Sequence, residues 1–369
     1  MSIVKFSDVA HRANTKEDRF NTDKIYYVGG EHIDSNELFV RSKGIIKGST
    51  IGPMFYCGFT SGQILFVTRN PHLRKCGIVD FDGICSEKTF VIESKDTTKL
   101  SQEYLAIIMQ SDEFWNYCEE NKSGGVNYFL NWSTLADYEF ELPPIQIQEE
   151  IAEKVMSAYR LKQSYQKLLT ATDEMIKSQF IEMFGQVSEE SPCLNDIARV
   201  YDGTHKTPTY TDSGIPFISV ENITDIYSSQ KYISREDYEL YKHKPEHGDI
   251  FMTRIGSIGK CAVYESFEPL AYYVSLALIK PNKDIVHPKF LKYYIESSDG
   301  AFELRKRSLL KAFPMKINLG EIGKIKVIVP AKDKQLEFVK IAEQADKSKF
   351  ELRKSIEAID AVIKNLING

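Results

Sequence analysis

The chain has 369 residues, 42% of them hydrophobic, 12% aromatic and 27% charged, with a formal net charge of −5. That length accommodates two or three domains, and the composition is that of ordinary globular protein. The acidic balance argues against holding nucleic acid by bulk charge alone, and no apolar run reaches signal-peptide or membrane-spanning length, so a cytoplasmic protein with no membrane contact is expected.

In chain order, residues 64–68 and 138–142 read as short alternating strands and residues 102–121 as a helix. Leu142-Pro143-Pro144 then ends the extended run, because each proline fixes φ and lacks an N–H, a combination that suits helix entry. From there to Gly185 the chain has no further proline or glycine. Ile151, Val155, Ala158, Leu161, Tyr165, Leu169, Thr172 and Ile176 fall three or four apart, which predicts a long amphipathic helix. A second strand set follows at residues 217–220, 250–253 and 324–329, with a helix at 288–307. After Pro330 the pattern recurs: Phe338, Ile341, Ala345, Ser348, Leu352, Ser355, Ile359, Val362 and Leu366 alternate threes and fours. A lone apolar stripe of that length needs cover. The two helices are expected to cover each other, the alternative being that each lies on its own domain.

Residues 1–143 and 188–330 carry small matches in the same order. Ser7-Asp8-Val9-Ala10 answers Asn195-Asp196-Ile197-Ala198, and Glu31-His32-Ile33 answers Glu221-Asn222-Ile223. Gly62-Gln63-Ile64 followed by Thr68-Arg69 answers Gly248-Asp249-Ile250 followed by Thr253-Arg254, and Lys75-Cys76-Gly77 answers Lys260-Cys261-Ala262. Asn131, Pro143, Gln148 and Glu150 pair with Asn318, Pro330, Gln335 and Glu337. Shared order and nearly constant offset imply a duplication. The expected fold is therefore α/β: two similar domains (1–143 and 188–330) separated by a central helix (144–187) and a C-terminal helix (331–369), with pseudo-twofold internal symmetry and an antiparallel coiled coil.

Catalytic signatures are missing. Ile255-Gly256-Ser257-Ile258-Gly259-Lys260 is too short between its glycines for a phosphate-binding loop and reads as a strand-connecting turn. Six scattered cysteines form no Cys-x-x-Cys pair, so neither a metal site nor a disulfide framework is expected. Three regions suit recognition instead. Thr204, His205, Lys206 and Thr207 sit in a Gly-containing polar loop that ends at Pro208, and their side chains can donate to phosphates or base edges. Arg305, Lys306 and Arg307, with Lys311 and Lys316, form a basic cluster suited to phosphate; its place in the first half is held by Lys122, Ser123, Gly124 and Asn127. The third region is the paired strand ends, Arg69 and Lys75 in the first half and Arg254, Ser257 and Lys260 in the second. Each also has a bland reading: a polar turn, a solvated helix end, or scaffold shared by two copies of one fold.

With these residues in place, Leu142-Pro143-Pro144 through Gln148 to Ile151 resembles the start of the central spacer in specificity subunits of type I restriction–modification systems. Residues 202–208, followed by Gly214-Ile215-Pro216-Phe217-Ile218, are similar to the opening of a target-recognition domain in that family. The resemblance implies a non-catalytic subunit that reads a split double-stranded DNA target, one domain per half-site. It also implies that Ile151, Val155, Leu161, Leu169, Ile176, Phe338, Ile341, Leu352, Ile359 and Leu366 pack the spacer helices. Two methyltransferase subunits would dock on the chain and hold S-adenosylmethionine, the chain itself holding no cofactor, and motor–nuclease subunits can be recruited as well. The first half departs from the pattern: Arg12-Ala13-Asn14-Thr15-Lys16-Glu17 stands where the second has its Asp-Gly-Thr-His box. Different half-sites and a non-palindromic target are therefore implied. The alternative from another class is a protein-interaction scaffold with two globular heads on a rod. A self-contained nuclease is disfavoured by the missing motifs.

Overall fold

The computed structural model describes residues 2–309 and 312–369. The chain forms two compact units, Met1–Gln166 with Arg353–Gly369, and Lys167–Leu352. Each unit takes one globular part and a portion of both long helices, Ile145–Phe184 and Lys332–Asn368.

In the first unit an antiparallel sheet has the order Ala10–Ala13, Thr89–Ser94, Ile64–Val67, Cys76–Ile78. The second unit repeats it as Ala198–Asp202, Leu276–Pro281, Ile250–Thr253, Cys261–Val263. Strand partners correspond across the copies: Ile64 faces Ile92 as Ile250 faces Ile279. A second sheet accompanies each, built around a parallel pair. Tyr26–Val28 lies beside Gly83–Ser86 in the first unit, and Ile215–Ile218 beside Ala271–Tyr272 in the second. The duplication read from small sequence matches is thus a duplication of strand order and register.

Two expectations fail for physical reasons. Residues 102–121 and 288–307 are each two helices: Gln102–Ile108 and Asp112–Glu120, then Pro288–Glu296 and Ser298–Arg307. The breaks fall where Ser111 and Ser297 turn their hydroxyls onto the N–H groups of Phe114 and Gly300, starting a new helix. Residues 324–329 are not a strand. In the first unit Glu139–Leu142 pairs with Ser2–Lys5 over four residues. In the second, Pro192 has no N–H to donate, and the pairing shrinks to Cys193 opposite Lys326, flanked by the bonds Val327 N–H to Pro192 O and Leu194 N–H to Ile325 O.

The long helices begin with the same buried clamp. Gln148 is fully buried; its amide donates to the carbonyls of Lys99 and Pro143, both at 2.8 Å, and accepts from the Ser101 N–H at 3.0 Å. Gln335, also fully buried, donates to Ile285 (3.0 Å) and Pro330 (2.8 Å) and accepts from His287 at 2.7 Å. The glutamine four residues beyond Pro144 therefore ties the helix start to its own domain by satisfying three backbone groups at once.

Within each unit the two helix segments run antiparallel. In the first, Lys162 meets Asp360 at 2.9 Å and Glu37 at 2.7 Å, while Val155 and Tyr159 share a core with Ile359, Ile363 and Leu366. In the second, Lys349 meets Asp173 at 2.9 Å, and Phe180 lies edge-on to Phe338 with ring centroids 5.2 Å apart. Lys162 and Lys349 are repeat equivalents, and so are Asp173 and Asp360. One ion pair is therefore made twice. Burial opposes the charge on Lys162 and Lys349, but the carboxylates outweigh it and raise both pKa values above the ordinary lysine value.

The expected packing stripe needs one shift. Val155 and Phe338 are fully buried; Ile151, Leu169, Ile176, Ile341, Leu352, Ile359 and Leu366 are half-buried. Leu161, however, is exposed, as is Val362, and their neighbours Lys162 and Ile363 point inward instead. The inward series Gln148, Ala152, Val155, Tyr159, Lys162 alternates fours and threes, a heptad seam that contains a glutamine and a lysine. A reading that seeks apolar side chains lands one residue early, because the carboxylates that make Lys162 acceptable lie far away in sequence.

Candidate nucleic-acid interface

In the first unit the strand Ile64–Val67 continues into Thr68 and Arg69. The Thr68 N–H donates to Lys88 O, and the Thr68 carbonyl accepts from the Leu130 N–H, both at 2.9 Å. Arg69 bridges to Phe129, and Phe129 and Ser123 exchange two N–H···O bonds of 2.9 and 3.0 Å, closing a hairpin over residues 123–129. Gly124 makes the turn at φ +96°, and a Cβ there would fall 2.6 Å from Asn127 O. Around this hairpin the Arg69 guanidinium lies 5.3 Å from the Phe129 ring centroid. The Lys122 ammonium lies 4.5 Å from that of Tyr128 and 2.6 Å from Glu119. Arg69, Gly124 and Asn127 are exposed. The fold thus gathers Arg69 with Lys122, Ser123, Gly124 and Asn127, two regions distant in sequence.

The second unit builds the same frame. The Arg254 N–H donates to Ser275 O (3.1 Å), its carbonyl accepts from the Ile317 N–H (3.0 Å), Ile255 bridges to Lys316, and the Leu309 N–H donates to Lys316 O (2.8 Å). By these bonds Arg254 is the counterpart of Thr68, and Ile255 that of Arg69. The expected pairing of Arg69 with Arg254 is therefore off by one. In extended chain one residue reverses the direction of the side chain, and the two arginines accordingly differ. Arg69 is exposed, whereas the Arg254 side chain is 13% exposed, 3.7 Å from Asp202, with its Nε donating to Ile317 O at 3.4 Å.

The remaining candidates divide into those that face solvent and those tied into the scaffold. The turn after Arg254 has Gly256 and Gly259 at positive φ, as its sequence suggests, and leaves Ser257 and Lys260 exposed. Lys75, the repeat partner of Lys260, is half-buried and donates to Gly30 O at 2.5 Å, a scaffold contact. Arg305 and Lys306 project from the last turn of Ser298–Arg307, with Lys306 3.6 Å from Glu189. Arg307 turns back onto buried Glu303 at 2.6 Å, and that carboxylate also accepts the Lys326 N–H at 2.8 Å. Arg307 is therefore held inside the unit. Lys311 lies outside the described residues.

The Gly-Thr-His loop joins this cluster through Asp202. His205 Nε2 lies 2.6 Å from Asp202 Oδ2, the same carboxylate that faces Arg254. Thr204 pairs with Tyr273 as a parallel bridge, and its hydroxyl bonds to Lys206 O at 3.1 Å. Gly203 is buried, and a Cβ there would sit 2.3 Å from Tyr272 O. His205 and Lys206 are exposed at the rim of a cleft of about 420 Å³ that also takes in Asp237, Tyr241 and His243, and Thr207 beside them is exposed as well. Burial pushes the Tyr241 and Tyr272 phenols up. Both keep their protons at neutral pH and act as donors: Tyr241 to Tyr272 O, and Tyr272 to the carbonyls of Asp202 and His243. Sequence reasoning passed over this wall, since isolated tyrosines carry no local pattern.

Among the described residues no cluster of three or more His, Cys, Asp or Glu side chains gathers as a metal site, and no helix is long and apolar enough to cross a membrane. All six cysteines are free thiols. The arrangement offers exposed cations and hydroxyls around one hairpin in each unit, with a glycine turn inside the hairpin of the first (Gly124) and beside that of the second (Gly256).

Comparison with known proteins finds the same repeat. The family model for the type I restriction modification DNA specificity domain matches residues 3–170 and again 190–360. The type I restriction enzyme MjaX specificity subunit assigned in Methanocaldococcus jannaschii is 27% identical over 168 residues, 42% of this chain and 38% of that protein. The EcoDI specificity subunit of Escherichia coli is 28% identical over 109 residues, 30% of this chain and 24% of that protein. The matched stretches therefore span well under half of either curated relative. Among solved structures, the type I restriction–modification S subunit from M. genitalium is 13% identical and superposes with a TM-score of 0.61, covering 99% of this chain and 94% of that one. A chain from a study of complex assembly and conformational transition in a type I R-M system gives 18% identity, a TM-score of 0.61 and coverage of 99% and 96%. At these identities the likeness is one of fold.

Proposed function

The chain belongs to the type I restriction modification DNA specificity family, and from that premise we propose that it binds a bipartite, asymmetric target in double-stranded DNA. Each unit reads one half-site, and the chain directs two methyltransferase subunits to the site. The methyltransferase subunits hold S-adenosylmethionine and carry out the chemistry in the cytoplasm; motor–nuclease subunits can be recruited to the same complex, and methylation does not require them. The observation that carries this reading is the recurrence of one hydrogen-bonded hairpin frame in both units, bordered in the first by exposed Arg69 and half-buried Lys122 and in the second by exposed Lys260, Arg305, Lys306 and Lys316.

The net charge of −5 fits a subunit whose partners share the electrostatic work. Salt-dependent binding to bipartite DNA tests the reading, measured for the chain together with its cognate methyltransferase. Changing Arg305 and Lys306 to Ala should weaken binding on all sequences and lower the salt slope by about two. A wild-type complex that binds no DNA would refute it. The paired helices further act as a ruler: removing two helical turns from both should shorten the gap between half-sites and leave the half-site sequences unchanged.

A further inference from the structure

Each hairpin carries at its tip an apolar side chain that its own fold does not use. Val126 is 93% exposed and Phe313 104% exposed. Each stands three residues before the residue that closes its hairpin, Phe129 in one unit and Lys316 in the other. Single exposed apolar residues are common on protein surfaces and need no account. Two at the same place in two copies of a frame, on loops bordered by cations, do need one.

We propose that Phe313 and Val126 are wedges that enter a base step of duplex DNA when each unit engages its half-site. This rests on the DNA reading above and adds residues and a mode of contact to it. An apolar side chain inserted between stacked base pairs loses its water, partly unstacks the step and kinks the duplex. The cost of unstacking must be met by phosphate contacts close by, and the hairpins supply them. Arg69 and Lys122 flank the hairpin that carries Val126, while Lys316 closes the one that carries Phe313, and Arg305 and Lys306 end the helix that precedes it. The Phe129–Ser123 bonds in the first unit and the Leu309–Lys316 bond in the second fix the hairpin bases, so the tips are presented rather than tethered. A tip with one bulky side chain fits a base step better than it fits a protein groove, which takes a broader apolar face. The two wedges are unequal. The flat Phe313 ring can stack on both neighbouring bases, whereas the short β-branched Val126 separates them less. The second half-site is therefore the more strongly deformed, and the step accepting Phe313 should be a flexible pyrimidine–purine step.

The test uses the full chain assembled with its methyltransferase on bipartite DNA carrying 2-aminopurine at successive positions outside the methylated adenine. Wild type should raise fluorescence at one step of the second half-site and more weakly at one step of the first. Phe313→Ala should remove the stronger signal and weaken binding about tenfold. Phe313→Trp should keep both, and Val126→Phe should strengthen the signal in the first half-site. Because both side chains are fully in solvent, neither substitution should change the melting temperature. Normal binding with flat fluorescence would overturn the wedge while leaving the DNA reading intact; a wild-type complex without DNA binding would overturn both. If Phe313→Ala lowers assembly with the methyltransferase but leaves the assembled complex unchanged on DNA, the tip is a protein contact and the wedge is wrong.

Discussion

The two hairpins set corresponding backbone bonds under different side chains. At the position that bonds Lys88 O in one unit and Ser275 O in the other stand Thr68 and Arg254. At the next stand Arg69 and Ile255. In the first unit the inner position is a buried threonine whose hydroxyl bonds Lys88 O at 2.8 Å, and the outer one is an exposed cation. In the second the inner position is a guanidinium held near Asp202, and the outer one is apolar. The comparison separates two demands on one element. The bonds recur because buried N–H and C=O groups must be paired, whereas the side chains are free to differ, as the proposed reading of two unlike half-sites requires.

Variants can break or sharpen that comparison. The largest effect is expected at the clamps, where the two units are most alike. Gln148→Ala and Gln335→Ala each leave one N–H and two carbonyls without their buried partner, and each should cost about 3 kcal/mol in denaturant unfolding. A large loss in one and none in the other would show that the clamps are equivalent in geometry only. The repeated ion pair comes next. Lys162→Ala and Lys349→Ala should each cost about 1–2 kcal/mol, less than a fully buried pair because the carboxylate partners remain half-exposed. Both lysines have raised pKa values, so their stabilisation is present at neutral pH and is lost as pH rises through the folded-state pKa, above the ordinary 10.5. The stability gap between wild type and Lys162→Met should therefore narrow in strongly alkaline solution.

Smaller effects test the off-by-one pairing directly. Arg254→Ala should lower stability by about 1 kcal/mol because it strips a partner from Asp202 and from Ile317 O. Arg69→Ala should change stability by less than about 0.5 kcal/mol yet reduce the salt slope of DNA binding by about one. Equal melting changes in the two would mean that the arginines are equivalent after all. The smallest effect belongs to Leu161→Ala, expected within about 0.5 kcal/mol because the side chain faces solvent.

How far these features were legible in the sequence depends on how local their cause is. Gln148 and Gln335 stood out as a matched pair a few residues beyond Pro144 and Pro330, and the strands at 64–67 and 250–253 as short apolar runs that each begin two residues after a glycine turn. Lys162 in the helix seam was hidden, since Glu37 and Asp360 reach it only through the fold. The break at Ser111 was missed because serine caps a helix and also sits quietly within one. For the candidate interface, residue types gave the loops but not the direction of their side chains. Arg307 and Lys75 turn inward and Arg69 outward, and Val126 and Phe313 carried no mark in sequence at all. One-residue register decides such matters, and it is fixed by hydrogen bonds between segments far apart.

The central claim is that two copies of one frame read two different half-sites for a methyltransferase. Mapping methylated adenines in host DNA with and without this chain tests it most directly. One bipartite, non-palindromic motif should be methylated only when the chain is present, and exchanging residues 188–330 for those of a relative should alter one half of that motif alone. A methylation map that does not depend on the chain, or a palindromic motif that survives the exchange, would contradict it.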